Sequence, residues 1–351
     1  MKSKRNYGID LLKIICMLMV VFLHLLKHGG ILSNVNNNSF VYIMVWFIEI
    51  LCFCAVNVYA IISGYLSVDK KYKFSNIINL YFRVIFYSLL ITFIMTFFYK
   101  DLFIEVYFNS LFPVITKQYW FFSSYFIMFL FIPLINNSII SLNKKQYTLI
   151  LTVLFILFSI LQTLFKVDTF VLNGGYSPVW LIYMYLIGAY IKTFYKRKKN
   201  NSLKMYLFYL LMVILTLASK LLLERYDTIG IFKSNFLITY ISPTIVLSSI
   251  FLFLSFKDLK IPNYFNNIVS KISISSFSVY LIHEHPLIRK FLIKNNFIKL
   301  LKYSPINMLL LLVLSALIIY LICIIIDFIR EYIFNKLKLS KLSLRINKLL
   351  D

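Results

Sequence analysis

The sequence predicts an all-α fold, a polytopic transmembrane helical bundle of about ten spans with the N- and C-termini cytoplasmic. Three observations predict it. Hydrophobic residues make up 61% of the 351, and mean hydropathy is +0.83, more apolar surface than a soluble core of this length can hide. Apolar runs recur along the whole chain, most of them near the ~20 residues that a ~30 Å hydrocarbon layer requires. The basic residues fall mainly on one side of those runs, as cytoplasmic loops demand.

The runs cover residues 9–27, 41–66, 77–99, 119–140, 147–165, 177–195, 203–223, 236–256, 272–290 and 305–328. An even number places both ends on one side. With that side cytoplasmic, it collects Lys2, Lys4 and Arg5, then Lys70, Lys71 and Lys73, then Lys144 and Lys145. The cluster Lys192 to Lys204 follows, then Lys257, Lys260 and Lys271, then the basic residues from Arg330 to Lys348. The exception is the ninth loop, where Arg289, Lys290, Lys294, Lys299 and Lys302 fall outside. Residues 1–328 read as one transmembrane domain. Residues 329–351 alternate apolar and basic positions and read as an amphipathic cytoplasmic tail on the inner leaflet.

The net charge of +24 is accounted for by this topology and by contact with anionic membrane lipid, so no nucleic-acid partner is expected. Cys16, Cys52, Cys54 and Cys323 all lie in apolar runs and read as small buried hydrophobes. Cys52-x-Cys54 lacks the spacing of a zinc site. The first run follows Lys2, Lys4 and Arg5 but carries Asp10, Lys13 and His24 and shows no small-residue cleavage site, so an uncleaved first span is expected.

Polar groups inside spans are costly, and each is therefore a candidate functional residue. In the first span, eleven residues separate Lys13 from His24, close to three turns, so the two share a face about 16 Å apart at ~1.5 Å per residue. Asp10 precedes Lys13 by three residues and can pair with it, and His28 continues the stripe from His24. The structural alternative is a snorkelling lysine and a bonded core histidine. In the ninth span, Ser276, Tyr280 and His283 can share a face, with Glu284 adjacent and His285 before Pro286. Its direction puts His283 in the outer half, at a depth compatible with His24. Two imidazoles and a carboxylate are parts for proton transfer. Polar interface residues around a proline kink are the alternative. His283-x-His285 offers only two ligands, so no metal is expected.

Glu49 lies beside Trp46 in the second span. Arg83 lies early in the third without an acid in its own turn. It is a candidate for a ligand phosphate, which guanidinium matches with fixed donors, or for snorkelling at a helix end. Tyr119, Trp120 and Phe121 open the fourth span, where aromatics commonly form an interface belt. No nucleotide loop, serine-hydrolase elbow or zinc signature is present.

The first span, R-N-Y-G-I-D-L-L-K followed by His24, resembles the acyltransferase-3 family of membrane acyltransferases, whose hallmark is a basic residue, ten residues, then histidine. Lys13 and His24 fit that spacing, with lysine in place of the more frequent arginine. NVYAIISGYL (Asn57 to Leu66) resembles the family's second-helix motif. YWFFSSYFIMFLFIPLIN (Tyr119 to Asn136) resembles its fourth-helix segment, and SVYLIHEHPLIR (Ser278 to Arg289) its late Tyr-Leu-x-His segment. The resemblance implies transfer of an acyl group, usually acetyl, from cytoplasmic acetyl-CoA to a hydroxyl of an envelope glycan or lipid-linked sugar in the bacterial plasma membrane. It implies His24 as the catalytic histidine. Arg83 would match the second arginine of an R-x-x-R pattern serving CoA, whose first position here is Leu80. No extracytoplasmic domain is expected after the last span.

Joining both readings, Asp10, Lys13, His24, His283 and Glu284 are the candidate catalytic residues, and Arg83, Lys13, Tyr119 and Trp120 the candidate residues for the donor. The competing expectations are a transporter or flippase of glycan intermediates, whose pathway the intramembrane His, Glu and Lys would form, and a non-catalytic scaffold.

Overall fold

The computed structural model describes residues 5–37, 39–99, 104–195, 201–226 and 233–337. Among the described residues every regular element is a helix. The longer ones are α1 (Tyr7–Lys27), α2 (Phe40–Phe53), α3 (Ala55–Ser67), α4 (Phe74–Phe98), α5 (Ile104–Leu111) and α6 (Trp120–Ile140). They are followed by α7 (Lys144–Phe155), α8 (Pro178–Phe194), α9 (Ser202–Tyr226), α10 (Pro243–Lys257), α11 (Asn266–His283) and α12 (Pro305–Lys336). Among the described residues, seven stretches are long and apolar enough to cross a membrane: Tyr7–Asn34, Phe40–Ser67, α4, α6, Lys144–Phe165, α9 and α12. Two shorter helices, α8 and α10, are also apolar. The chain is an all-α polytopic membrane bundle.

Local chemistry sets the helix ends. Ser39 caps α2 by accepting from Tyr42 N, and Ser177 caps α8 by accepting from Trp180 N ahead of Pro178. Asn143 and Gln146 form a reciprocal capping box at the start of α7. Pro243 opens α10, so the run expected over 236–256 is helical only from there; the residues before it form turns. The run 41–66 is divided at Cys54 into α2 and α3. The run 272–290 is broken after His283, because Pro286 cannot continue a helix that needs its N–H. The basic tail from residue 338 onward lies outside the described residues, and α12 itself runs on to Lys336.

The chain divides into two compact units. The first comprises Met1–Val20, Asn36–Lys70 and Leu130–Ser273. Its tightest packing is α3 on α8. A Cβ at Gly64 would stand 2.0 Å from the carbonyl oxygen of Tyr185, and one at Gly188 2.0 Å from that of Ile61. The two backbones therefore touch, as small residues permit between membrane helices. Polar side chains brace the same pair. Buried Asn57 donates to the Tyr240 carbonyl and accepts from Trp180 Nε1, each at 2.9 Å. Tyr185 donates to Asn136 Oδ1 at 2.8 Å, and Asn136 donates to the Ser67 carbonyl.

The second unit comprises Val21–Val35, Lys71–Phe129 and Ile274–Asp351. In α12 the buried stripe Met308, Leu312, Ala316, Tyr320, Cys323, Asp327 and Arg330 recurs at three- and four-residue steps. Leu310, Leu314, Leu317, Leu321 and Ile325 are exposed on other faces, as lipid contact allows. The stripe's charged end is closed internally: Tyr87 donates to Asp327 Oδ1 at 2.6 Å, and Arg330 Nε donates to the same oxygen at 2.7 Å.

Candidate active site

The last turn of α1 carries His24, and His28 follows directly after the helix, both within the second unit. Gly30, at φ +85°, ends this segment in a left-handed conformation that favours glycine. The backbone just before Gly30 is fastened to a later segment. Asn295 N donates to the His28 carbonyl at 3.0 Å, and Phe297 N donates to the Gly29 carbonyl at 3.1 Å. This ties the end of α1 to the chain that follows α11, and so sets His24 against the residues after the α11 break.

At that break His283, Glu284 and His285 are all buried. His283 Nδ1 lies 2.5 Å from the Val279 carbonyl oxygen, one turn back. A carbonyl can only accept, so the proton of His283 sits on Nδ1 and its Nε2 carries the lone pair. That lone pair faces His24 Nδ1 at 2.9 Å. His24 must then donate from Nδ1, which leaves its own lone pair on Nε2. The tautomers follow from the hydrogen-bond network, from backbone carbonyl to His283 to His24.

The carboxylate of Glu284 completes the group. Its Oε2 lies 3.1 Å from His24 Nδ1 but off the hydrogen-bond direction, and it accepts no hydrogen bond among the described residues. The proximity is electrostatic, while the proton points at His283. Glu284 Oε1 receives Arg289 Nη1 at 2.5 Å, and His28 Nε2 lies 3.8 Å from the same oxygen. Arg289 reaches back because the chain turns through Pro286–Ile288 and a π-helical stretch, Arg289–Ile293. A solvent-exposed ion pair contributes little, but here the carboxylate is 4% exposed and needs its partner.

His24 and His283, marked separately in the sequence, are thus in direct contact. His285 faces elsewhere. Its Nδ1 accepts from Leu287 N at 3.3 Å, and its Nε2 lies 3.2 Å from the Ser88 carbonyl, with Gln118 Nε2 and Thr92 Oγ1 nearby. It fixes the turn after Glu284, and His283 and His285 do not converge on a common ligand. His24, His28 and Glu284 each place a donor atom within 4.8 Å of the others, a spacing on the scale of a metal site. The Arg289 guanidinium on Glu284 opposes a further cation there, and His24 Nδ1 is already a donor.

Tyr119, Trp120 and Arg83 also belong to the second unit. Tyr119 is buried and donates to the Leu281 carbonyl at 3.0 Å, which holds α6 to α11 within the second unit. Trp120 meets the Phe121 ring edge-on. Arg83 donates from Nη1 to the Ile274 carbonyl at 3.3 Å and lines a cavity of about 500 Å³ with Asn79, Phe82, Phe86, Arg330 and Phe334. Asp10 and Lys13 belong to the first unit. Asp10 Oδ1 lies 3.4 Å from Lys13 Nζ and accepts from Ser273 Oγ at 3.0 Å, while Oδ2 receives Arg5 Nε at 2.5 Å. Arg289 and Arg5, as partners of the two acids, were not marked by sequence reasoning; an unpaired buried acid is the signal that points to each.

The family model of the acyltransferase domain, Acyl_transf_3, matches residues 6–328, nearly the whole chain. The chain belongs to the acyltransferase-3 family. No curated protein and no solved structure matches it significantly. As a member of the acyltransferase-3 family it is a multi-pass membrane acyltransferase. The arrangement around His24 is an imidazole whose tautomer is set from behind and whose Nε2 carries the lone pair, with a carboxylate beside it to take up positive charge. That is equipment for accepting a proton from a hydroxyl.

Proposed function

We propose that this acyltransferase moves an acetyl group from cytoplasmic acetyl-CoA to a hydroxyl of a cell-envelope glycan or lipid-linked sugar at the bacterial plasma membrane. The observation that carries the reading is the relay from the Val279 carbonyl through His283 to His24, which leaves a lone pair on His24 Nε2.

In the reaction, Nε2 takes the proton of the acceptor hydroxyl as its oxygen attacks the thioester carbonyl. The carbon–sulfur bond then breaks, and the proton passes from His24 to the departing sulfur. The products are an acetyl ester and free CoA. While His24 is an imidazolium, Glu284 at 3.1 Å stabilises the charge, and Arg289 holds that carboxylate in place. General-base catalysis of this kind contributes about 10²–10⁴ in rate.

Arg83, beside a cavity with an aromatic wall, is assigned to the phosphates of the donor. Lys13, on the same helix as His24, is assigned to the donor's anionic groups as well, oriented by Asp10.

The test is inside-out membrane vesicles supplied with acetyl-CoA labelled in the acetyl group. The reading expects CoA release coupled to label in glycan or lipid-linked material. Uptake or flipping of a glycan intermediate with no CoA released, in the presence of acceptor, would instead establish an exporter.

A further inference from the structure

A second cleft, with polar groups set among apolar ones, lies wholly within the first unit, between the segment that follows the π-helical turn Ile156–Leu161 and the turns before α10. Its volume is about 370 Å³, within the roughly 300–1,000 Å³ of small-molecule sites. Gln162, Thr163, Asn235 and Thr239 supply amides and hydroxyls. Lys166 and Lys233 supply positive charge, and Phe236 an apolar face.

Three independent features set this cleft apart from ordinary loop surface. Thr163 lines it and is 6% exposed, yet its hydroxyl has no hydrogen-bond partner among the described residues. Burying an unpaired hydroxyl costs about 1–3 kcal/mol, so its retention calls for a ligand that accepts or donates there. The backbone at and beside the cleft is held in unusual conformations: Lys166, in the lining, and Val171 and Asn173, in the adjoining loop, have positive φ of 56°, 54° and 50°. Left-handed non-glycine residues and π-turns both concentrate at functional sites. Finally, Asp168, the acid of the cleft, is already engaged. Its two oxygens accept from Leu172 N at 2.6 Å and Asn173 N at 2.7 Å, which shapes the loop and draws the carboxylate's hydrogen-bonding capacity to the backbone. Lys233, exposed at the rim, is the cation offered to a ligand.

We propose that this cleft binds a negatively charged sugar unit, carrying a carboxylate or a phosphate, on the outer side of the membrane by the distribution of basic residues. The amides and Thr163 read the ring hydroxyls, Phe236 meets the apolar face of the ring, and Lys233 meets the anionic group. That the ligand is part of the acceptor rests on the proposed acyl transfer. The cleft contains none of the residues assigned to acyl transfer, and its test uses no acyl donor, so its outcome is separate from that of the transferase reading.

The experiment is saturation-transfer NMR on the full-length protein in neutral-lipid nanodiscs, with glucuronate, glucose 1-phosphate, glucose and inorganic phosphate as separate probes. The expected result is transfer to the ring protons of either or both anionic sugars, with neutral glucose at least several-fold weaker. Competition by inorganic phosphate should be weaker than by the sugars. Lys233→Met should remove the preference for the anionic sugars. Thr163→Val, which keeps the side chain's shape, should weaken binding about five- to tenfold while leaving the melting temperature unchanged or raised. Equal signals in wild type and both variants, or no signal from any sugar, would overturn the proposal. So would phosphate competing as well as glucose 1-phosphate, which would make this a simple anion site. A melting temperature lowered by Thr163→Val would also overturn it, since the hydroxyl would then be structural.

Discussion

His24 Nδ1 and His283 Nε2 face one another at 2.9 Å, and the Val279 carbonyl behind His283 decides which of the two carries the shared proton. The relationship makes His283 a positioning residue for His24, not a second base. Replacing it with leucine removes the acceptor, frees His24 to rotate or adopt the other tautomer, and is expected to lower kcat by about 10²-fold or more. Glutamine can still accept from His24 and should retain a larger share of the activity. KM for the acetyl donor should be little changed in either variant. Steady-state kinetics on the two variants checks this, and equal activity in the leucine variant and wild type would contradict it.

Glu284 and Arg289 form a pair in which only the carboxylate is deeply buried. Arg289→Ala leaves that carboxylate without its guanidinium. Because Arg289 is 38% exposed, water screens part of the loss, and the expected destabilisation is on the order of 1–3 kcal/mol, below the value for a fully buried pair. Glu284→Gln in the same background should recover part of the stability and none of the activity. Thermal unfolding in detergent, read alongside acetyl transfer, separates the two effects.

Arg83 is assigned to the donor alone. Arg83→Met is expected to raise KM for acetyl-CoA about tenfold with kcat nearly unchanged, the signature of lost ground-state binding. A fall in kcat at unchanged KM would place Arg83 in the chemistry instead.

Gly64 and Gly188 are expected to tolerate no side chain. A Cβ at either would meet backbone 2.0 Å away, which no rotamer can relieve. Gly64→Leu and Gly188→Leu should abolish the monodisperse folded protein in size-exclusion chromatography. Gly174→Ala is the contrast: nothing lies within 4 Å of its Cβ position, and its cost is confined to the positive φ of 61°.

The bundle was legible because lipid imposes a length and polarity on every span, and the sequence repeats that pattern plainly from Tyr7 to Lys336. Where local chemistry overrides hydropathy the helix departs from the apolar run: Pro243 starts α10 late, while the second run remains one membrane-crossing stretch with a kink at Cys54. Of the candidate site, His24, His283 and Glu284 could be singled out because an ionisable group inside a span stands out against apolar neighbours. Their contact could be anticipated only as a shared depth. The partnership of Glu284 with Arg289 could not be read, since it depends on a π-helical turn after Pro286 that brings a residue counted as loop charge back to the acid. The same holds for Thr163, whose polarity is ordinary in sequence and whose unpaired hydroxyl is visible only in the fold.

The measurement that tests the central claim most directly compares wild type with His24→Ala in membranes that contain equal amounts of inserted protein and a competent acceptor. Acetyl-labelled CoA is supplied on the cytoplasmic side, and label in envelope material and free CoA are both counted. The account predicts coupled label transfer and CoA release in wild type, and loss of both by at least about 10²-fold in the variant. Full transfer by His24→Ala would contradict it and remove His24 from the reaction.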